Sequence, residues 1–442
     1  MRVLLRTFGC RANQYDAEQV RALVEAAGGT VLDGSDVRSA AAEVAVLTSC
    51  AVTAEAEADL RQAVRRIARD RPDTRVIVTG CAASRSPAAI AALPGVTAVV
   101  PGADLAATSA ALGLAAPVAP ARRHATARAT LRVQEGCDEH CTFCATTLAR
   151  GAHRSRDLAV LVDEATALAE HHPEIVLTGI HVGSWGRERR QPLGALVRTL
   201  VERVPRVRFR LASVEATEVD GALAELLRDG GGRVCPYLHA PLQSGSDAVL
   251  RRMGRHWYTA RAYAEAIDRL TAGRAVFGLG ADVMTGFPGE TDADHAETLA
   301  IVRALPFTHL HFFPYSVRPG TAAVRLPDPV PASVTRARAA ELRALADAKA
   351  AAYARSRIGG PADVVIVGPD AGAEPHSGMP VRGTPSSSAR DAAASPPLRA
   401  GLTEDYLHVR LPSTAPRGAV VRLELTGEMV ATRTRHAEAA LA

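Results

Sequence analysis

Lysine is almost absent from this chain: Lys349 is the only lysine among 52 basic residues. Aromatic residues make up only 4% of the 442 residues, and no run of about 18 uncharged apolar residues occurs, which excludes a membrane-spanning helix. The first residues have the pattern of a strand and lack the longer apolar core of a signal peptide, so we expect a cytosolic protein. With 47% hydrophobic residues, the chain can bury a substantial core.

The net charge of +5 is concentrated in the middle of the chain. Residues 1–112 and 356–442 each hold as many acidic as basic residues, so the whole excess lies in 113–355. A GC-rich genome explains much of the preference for arginine, but arginine also binds phosphate through a planar, bidentate fork. A basic middle region therefore favours a polyanionic substrate at a central site.

Three regions with different patterns follow one another. Residues 1–112 alternate strand and helix patterns, which predicts a small parallel α/β domain, and 113–128 form an alanine- and proline-rich linker. Residues 129–355 repeat the alternation about six times, which fits a partial (β/α) barrel. Residues 356–432 carry short β runs, predicting a small β-barrel with a flexible insertion at 369–401 that is rich in Pro, Gly and Ser. The predicted fold class is therefore α/β, ending in a small β domain.

Six strand patterns define the predicted barrel. They lie at 130–134, 175–178, 207–211, 237–241, 280–285 and 309–313. Active sites of such barrels lie at the carboxyl ends of the strands, so we expect functional side chains to follow these segments.

Three of the seven cysteines are closely spaced after the first barrel strand, in the pattern Cys-x3-Cys-x2-Cys formed by Cys137, Cys141 and Cys144. Three thiolates on one loop can hold three corners of a cubic iron–sulfur cluster and leave the fourth iron open for another ligand. Zinc would need a fourth ligand, from His140 or a distant residue. The odd number of cysteines argues against a disulfide framework. We expect a [4Fe-4S] cluster here.

Three further cysteines, Cys10, Cys50 and Cys81, each follow a predicted strand of the first region. Loops after parallel strands converge at one edge of a sheet, so three thiols that are far apart in sequence could meet there. The alternative is that each is a small buried residue at a strand end. Three thiols in the same structural position favour a second cluster with one open iron. Cys235 has no such partner and is predicted to be structural.

The Cys-x3-Cys-x2-Cys motif resembles that of the radical S-adenosylmethionine enzymes. The resemblance implies a [4Fe-4S] cluster whose open iron is chelated by S-adenosyl-L-methionine. It also implies that an electron from the cluster cleaves the sulfonium to give a 5′-deoxyadenosyl radical. Phe143 matches the aromatic residue that is usual between the last two cysteines.

Polar residues near the barrel strands are candidate cofactor contacts. In the superfamily, backbone groups at positions like Thr178 and Gly179 contact the methionine amino group, although a simple turn is the alternative. A carboxylate at the position of Glu215 holds the ribose hydroxyls in the superfamily; the alternative is a surface ion pair. Gln243 and Asp282 lie on strand segments where a buried polar side chain needs a partner. Contact with cofactor or substrate and a purely structural role are both open for these two.

The positions of four more residues predict possible roles for them. Arg150, Arg154 and Arg156 directly follow the cysteine loop, where a phosphate or substrate contact and a solvated arginine run are both open. His239 is predicted to be a core histidine with a hydrogen-bond partner.

The three regions together resemble the methylthiotransferases over nearly the whole chain. The motifs that carry the resemblance lie at 9–16, 136–137, 150–151, 241–246, 286–291 and 313–316. The resemblance implies a terminal TRAM domain and a second cluster that supplies or carries sulfur. It also implies two molecules of S-adenosyl-L-methionine, one as methyl donor and one as radical source. Implied partners are tRNA, at the anticodon stem-loop, and an electron donor such as flavodoxin or ferredoxin; the sequence sets no oligomeric state.

The branches of this family differ in substrate. One modifies isopentenyladenosine in tRNA, one modifies N6-threonylcarbamoyladenosine in tRNA, and one modifies an aspartate of a ribosomal protein. The motifs at 13–16, 150–156 and 178–181 are most similar to the threonylcarbamoyladenosine branch. The resemblance thus implies addition of a 2-methylthio group to that nucleoside beside the anticodon, and the basic middle region agrees with an RNA substrate. A zinc-stabilised RNA-binding protein without catalysis is the non-enzyme alternative.

Overall fold

The first region of the chain forms a five-stranded parallel sheet. The computed structural model describes residues 1–33, 42–51, 54–114, 121–369 and 396–430. The strands are β1 (Arg2–Thr7), β2 (Thr30–Asp33), β3 (Val44–Ser49), β4 (Arg75–Gly80) and β5 (Val96–Pro101), and the helices are α1 (Arg11–Ala26), α2 (Ala54–Asp70), α3 (Cys81–Arg85), α4 (Pro87–Ala91) and α5 (Leu105–Leu112). The strand order is β2-β1-β3-β4-β5. β3 is buried along its whole length, as its apolar run requires of a central strand covered on both faces.

The middle region forms the predicted partial barrel. Its six parallel strands are β6 (Ala129–Arg132), β9 (Glu174–Thr178), β10 (Arg208–Leu211), β11 (Tyr237–His239), β12 (Gly278–Thr285) and β13 (His309–Pro314). They form two sheets, ordered β10-β9-β6 and β11-β12-β13. Parallel bridges from Phe209 to Val234 and from Ser213 to His239 join β10 to the second sheet. A short antiparallel pair, β7 (Gln134–Glu135) and β8 (Arg154–Ser155), flanks the cysteine loop.

Helices cover the outside of this barrel. They are α6 (Thr146–Arg150), α7 (Leu158–Ala169), α8 (Leu193–Arg203), α9 (Gly221–Asp229), α10 (Asp247–Arg252), α11 (Ala260–Thr271), α12 (Asp292–Ala304) and α13 (Ala332–Ser356). The largest apolar core lies between these helices and the strands, with Leu131, Leu177, Phe209 and Leu279 fully buried or nearly so. None of the helices formed by the described residues is both long and apolar enough to cross a bilayer.

The last region is a small antiparallel sheet. Its strands are β14 (Pro361–Pro369), β15 (Leu398–Leu402), β16 (His408–Pro412) and β17 (Val420–Glu424), in the order β16-β15-β14-β17, followed by α14 (Gly427–Val430). The predicted fold class, α/β with a small terminal β domain, is confirmed. Within the predicted insertion at 369–401, residues 398–401 form most of β15, and 370–395 lie outside the described residues, as do 115–120 of the predicted linker and 431–432. The domain boundaries 1–112, 113–128, 129–355 and 356–432 remain our proposal.

A buried ionic cluster joins the barrel to the terminal sheet. Glu174 at the start of β9 is fully buried and pairs with Arg128 at 3.4 Å, Arg208 at 2.7 Å and Arg210 at 2.6 Å. Burial alone would raise the pKa of Glu174, but these arginines hold it well below its usual value. Arg210 also donates to the carbonyl oxygen of Thr403, at 3.0 Å, on the loop after β15. The terminal sheet is therefore anchored to the barrel by charge-assisted hydrogen bonds.

Replacing the carboxylate of this cluster tests its role. We expect Glu174→Gln to lower the free energy of unfolding by about 3–5 kcal/mol, because three buried guanidinium groups lose their common counterion. Urea denaturation of the full chain measures the loss. Glu225→Gln is the control, because Glu225 pairs with Arg198 on the surface and should cost at most about 1 kcal/mol. Equal unfolding midpoints for the two variants would contradict the expectation.

Candidate active site

The structure brings the three early cysteines to one edge of the first sheet. β1, β3 and β4 are neighbours, and Cys50 directly follows β3 while Cys81 begins α3 directly after β4. Cys10 is the N-cap of α1, three residues beyond β1. A Cβ atom on Gly9 would lie 2.5 Å from Cys50 Sγ, so the Cys10 loop lies directly against Cys50. The pKa of Cys81 is raised, mainly by burial, and the nearby Cys10 thiol contributes.

Buried hydrogen bonds fix these three loops to one another. Asn13 is fully buried, and its Nδ2 donates to the carbonyl oxygens of Phe8 at 2.7 Å and Ser49 at 2.9 Å. The Ser49 hydroxyl oxygen accepts from the backbone N–H groups of Ala82 at 3.1 Å and Ala83 at 3.2 Å. Each loop that carries a cysteine is thus tied to the next. The sequence offered Asn13 only as part of a family motif.

The other three cysteines lie on the loop between β7 and α6. Gly136 opens this loop with a φ of +69°, and a Cβ atom there would lie 1.9 Å from the Ala152 carbonyl oxygen, so only glycine fits. The Cys137 N–H donates to the Gly151 carbonyl oxygen at 3.1 Å, and the Cys144 N–H donates to the Cys141 carbonyl oxygen at 3.1 Å. Backbone hydrogen bonds therefore fix both ends of the loop.

Each sulfur atom of this loop accepts a hydrogen bond. The donors are the Glu139 N–H to Cys137 at 3.4 Å, the Thr146 N–H to Cys144 at 3.4 Å, and the Arg255 guanidinium to Cys141 at 3.6 Å. Burial raises the pKa of Cys141 to about 12, against the effect of Arg255. Hydrogen bonds to sulfur stabilise thiolates and tune iron–sulfur clusters, so this donor set fits such a cluster.

His181 is a site residue for which the sequence gave no separate signal. Its Nδ1 lies 3.7 Å from Cys137 Sγ and its Nε2 lies 2.9 Å from Glu218. Burial would lower the pKa of His181, but the hydrogen bonds to Cys137 and Glu218 raise it to about 10. These two hydrogen bonds favour a protonated imidazole beside the first sulfur of the loop.

Two buried side-chain oxygen atoms of the barrel have no donor among the described residues. Glu215 follows β10; its Oε1 pairs with Arg255, and its buried Oε2 has no hydrogen-bond partner. Burial raises the pKa of Glu215. Gln243 has a φ of +61°, which is strained for a non-glycine residue, and its buried Oε1 also lacks a partner. Acceptors of this kind suit the hydroxyl and amino donors of S-adenosyl-L-methionine.

Thr178, Gly179 and Phe143 lie around the same loop. Gly179 abuts β7, the strand that leads into the loop, because a Cβ atom on it would lie 2.9 Å from the Gln134 carbonyl oxygen. Thr178 ends β9 and is buried. Phe143 packs edge-to-face on Phe287, with ring centroids 6.3 Å apart.

Asp282 lies in a cavity of about 320 Å³ that the Cys10 loop closes on one side; we name it the Cys10 cavity. His239 Nε2 lies 3.2 Å and His311 Nδ1 lies 3.3 Å from Asp282 Oδ1. Burial would raise the pKa of Asp282, but the two imidazoles hold it well below its usual value. These three side chains offer ligand atoms within 4.8 Å of one another, a set that could hold a divalent ion. His239 thus has the partner that the sequence predicted.

Arg150 links the early cysteines to the strand that precedes the cysteine loop. Its Nε donates to Cys81 Sγ at 3.3 Å, and its Nη2 donates to Asn13 at 2.5 Å and to Asp16 at 2.8 Å. Its Nη1 donates to Glu135, just before the cysteine loop, at 3.2 Å. With a side chain only 1% exposed, Arg150 is not solvated, so the interpretation as part of a solvated arginine run was wrong for it.

Arg156 and Arg154 differ from Arg150 in their surroundings. Arg156 pairs with Glu164 at 2.6 Å and donates to the Tyr15 hydroxyl at 3.1 Å, across the boundary to the first region. Arg154 is exposed, as a solvated arginine would be. The arginines that follow the cysteine loop therefore mainly connect the first region to the barrel.

Removing Arg150 should expose Cys81. In Arg150→Met, the carboxylates of Asp16 and Glu135 lose their buried counterion, which favours opening of the interface. We expect alkylation of Cys81 in the metal-free protein to be at least about tenfold faster, which corresponds to a shift of 1.4 kcal/mol in the opening equilibrium. Mass spectrometry after timed iodoacetamide treatment measures the rate. Arg154→Met is the control, and equal Cys81 rates in the two variants would contradict the expectation.

Two family models match the chain. Residues 2–102 match "Uncharacterized protein family UPF0004", and residues 131–302 match the "Radical SAM superfamily". The first match covers the sheet with the three early cysteines, and the second covers the barrel.

Curated relatives match over most of their length. The threonylcarbamoyladenosine tRNA methylthiotransferase MtaB of Bacillus subtilis is 37% identical, over 80% of this chain and 82% of its own. The protein of the same name from Thermotoga maritima is 33% identical, over 81% and 84%. The tRNA-2-methylthio-N(6)-dimethylallyladenosine synthase of Erythrobacter litoralis is 32% identical, over 82% and 85%.

A solved structure shares the fold. The radical S-adenosylmethionine methyltransferase TsrM from Kitasatospora setae superposes with a TM-score of 0.56 at 18% identity, over 73% of this chain and 76% of its own. The resemblance stated from the sequence is confirmed. The chain belongs to the radical SAM methylthiotransferase family, whose transferases use S-adenosyl-L-methionine and a [4Fe-4S] cluster.

Proposed function

We propose that this protein adds a 2-methylthio group to N6-threonylcarbamoyladenosine beside the anticodon of tRNA. The relative from Bacillus subtilis named for that nucleoside shares 37% identity, whereas the dimethylallyladenosine synthase of Erythrobacter litoralis shares 32%. The excess positive charge in 113–355 supports an RNA substrate. A tRNA substrate places the reaction in the cytoplasm, where a flavodoxin or ferredoxin would serve as electron donor.

The observation that carries this proposal is that Arg150 links the two groups of three cysteines, through Cys81 on one side and Glu135, just before the cysteine loop, on the other. Cys137, Cys141 and Cys144 would hold the cluster that is general to the superfamily. Cys10, Cys50 and Cys81 would hold a second [4Fe-4S] cluster, for which three converging thiols and the adjacent guanidinium are a suitable donor set. When bound, the first cluster supplies the electron for reductive cleavage of S-adenosyl-L-methionine, and the second supplies or carries sulfur.

The remaining site residues would bind and orient the cofactor. Glu215 Oε2 would accept a ribose hydroxyl, and Arg255 keeps this carboxylate beside Cys141. The strained Gln243 would use its free Oε1 in the same way. The backbone at Thr178 and Gly179 would contact the methionine amino group.

Phe143 and Asp282 complete the set of residues proposed from the sequence. Phe143 would cover the cofactor, and its edge-to-face contact with Phe287 would hold the ring in place. Asp282 would act on the substrate side, because it lines the Cys10 cavity.

Analysis of tRNA nucleosides tests the proposal. Deletion of the gene should abolish 2-methylthio-N6-threonylcarbamoyladenosine and leave its unmodified parent in the tRNA, as measured by mass spectrometry. The wild-type gene should restore the product and Cys50→Ala should not, because the second group of thiols would lose one member. Cys235→Ala is the control, since Cys235 is buried beside Glu174, away from both groups, and should restore the product.

Other outcomes would identify a different member of the family. Loss of the methylthio group from isopentenyladenosine would show that this nucleoside is the substrate. Unchanged tRNA together with loss of a methylthio group from a ribosomal-protein aspartate would assign the protein substrate. Either outcome would refute the threonylcarbamoyladenosine assignment.

A further inference from the structure

The Cys10 cavity contains a cation without a counterion. Arg11 is the first residue of α1 and lines this cavity beside Cys10, half-buried. Its Nη2 donates to the Tyr406 hydroxyl at 3.2 Å. In the part of the chain that the structure describes, it pairs with no carboxylate, whereas Arg210, which also lines the cavity, is neutralised by Glu174. A partly desolvated guanidinium with only a phenol as partner favours an anionic ligand.

The other charged groups of the cavity do not neutralise Arg11. Asp282 also lines the cavity, but His239 and His311 share its carboxylate at 3.2 and 3.3 Å. α1 begins at the cavity, and no side chain caps its N-terminus, so the helix dipole adds positive potential there. The cavity therefore offers positive charge to a ligand that enters beside Cys10.

The threonylcarbamoyl substituent has the matching chemistry. It carries a carboxylate and a hydroxyl, whereas an isopentenyl substituent is wholly apolar. His311 uses Nδ1 for Asp282, and its side chain is 56% exposed, so Nε2 can meet a hydroxyl group. The volume of about 320 Å³ is of the size that takes a small-molecule group.

Resting on the function proposed above, we infer that Arg11 binds the carboxylate of the threonylcarbamoyl group, with His311 meeting its hydroxyl. This subsite selects an anionic N6 substituent over an apolar one. Because Arg11 directly follows Cys10, a substituent bound here holds the adenine beside the early cysteines. Arg11 is thus a specificity-determining residue for the reaction.

Two RNA substrates that differ in one charge test the inference. Anticodon stem-loops bearing N6-threonylcarbamoyladenosine or its methyl ester are given to the anaerobically reconstituted enzyme. We expect the wild type to prefer the acid by about 10- to 100-fold in kcat/KM, the range for a hydrogen bond to a charged group. Arg11→Gln should lose that preference by a higher KM for the acid, with the ester unaffected. Arg261→Gln removes an equal charge from an exposed face of α11 and should keep the preference.

Further measurements distinguish a loss of substrate specificity from damage to the active site. Iron content and cleavage of S-adenosyl-L-methionine without RNA should be the same in Arg11→Gln and wild type. If Arg11→Gln fails to fold, Tyr406→Phe, which removes the partner of the guanidinium, should weaken the preference. Equal activity of the wild type on acid and ester, or an equal loss on both in Arg11→Gln, would overturn the inference while leaving the proposed function intact. A wild type that modifies neither RNA overturns the proposed function and this inference with it.

Discussion

The guanidinium of Arg150 joins the two halves of the active site. It contacts Cys81, Asn13 and Asp16 on helices of the first region and Glu135 in the barrel region, at distances of 2.5 to 3.3 Å. Because this group is almost wholly buried, neither half can move away without leaving a charge unpaired in a medium of low dielectric constant. The mutual position of the two groups of thiols is therefore set by electrostatics as well as by packing.

Most of the fold follows from local patterns in the sequence. All six barrel strands lie within one to two residues of their predicted starts, because apolar runs between helical segments define them well. The strand patterns of the sequence did not include β2, β5, the two-residue β8 or β15. β2 has only four residues, two of them apolar, so it carries only a short apolar signal. β15 contains Gly401, which fits there because a Cβ atom would lie 2.4 Å from Val364, a contact that only the folded sheet defines.

The sequence predicted the part of the site that follows from the order of parallel strands. It did not predict contacts between side chains that are far apart along the chain. The convergence of the early cysteines follows from the parallel order of their strands. Arg150 meets Cys81 and Asn13 across 69 and 137 residues of chain, and Arg255 meets Cys141 across 114. The spacing of residues in the sequence does not indicate such contacts. Arg150 could therefore be interpreted only as one residue of an arginine run. Arg11 was likewise only part of a motif, and the structure shows that it lines a cavity and pairs with no carboxylate of the described residues.

Iron and sulfide analysis of variants that lack one group of thiols tests the central claim most directly. After anaerobic reconstitution, the account predicts about eight irons per wild-type chain, since each [4Fe-4S] cluster holds four. It predicts about four when Cys10, Cys50 and Cys81 are all replaced by alanine, and about four when Cys137, Cys141 and Cys144 are. Full retention of iron by the first triple variant would contradict a second cluster at the edge of the first sheet.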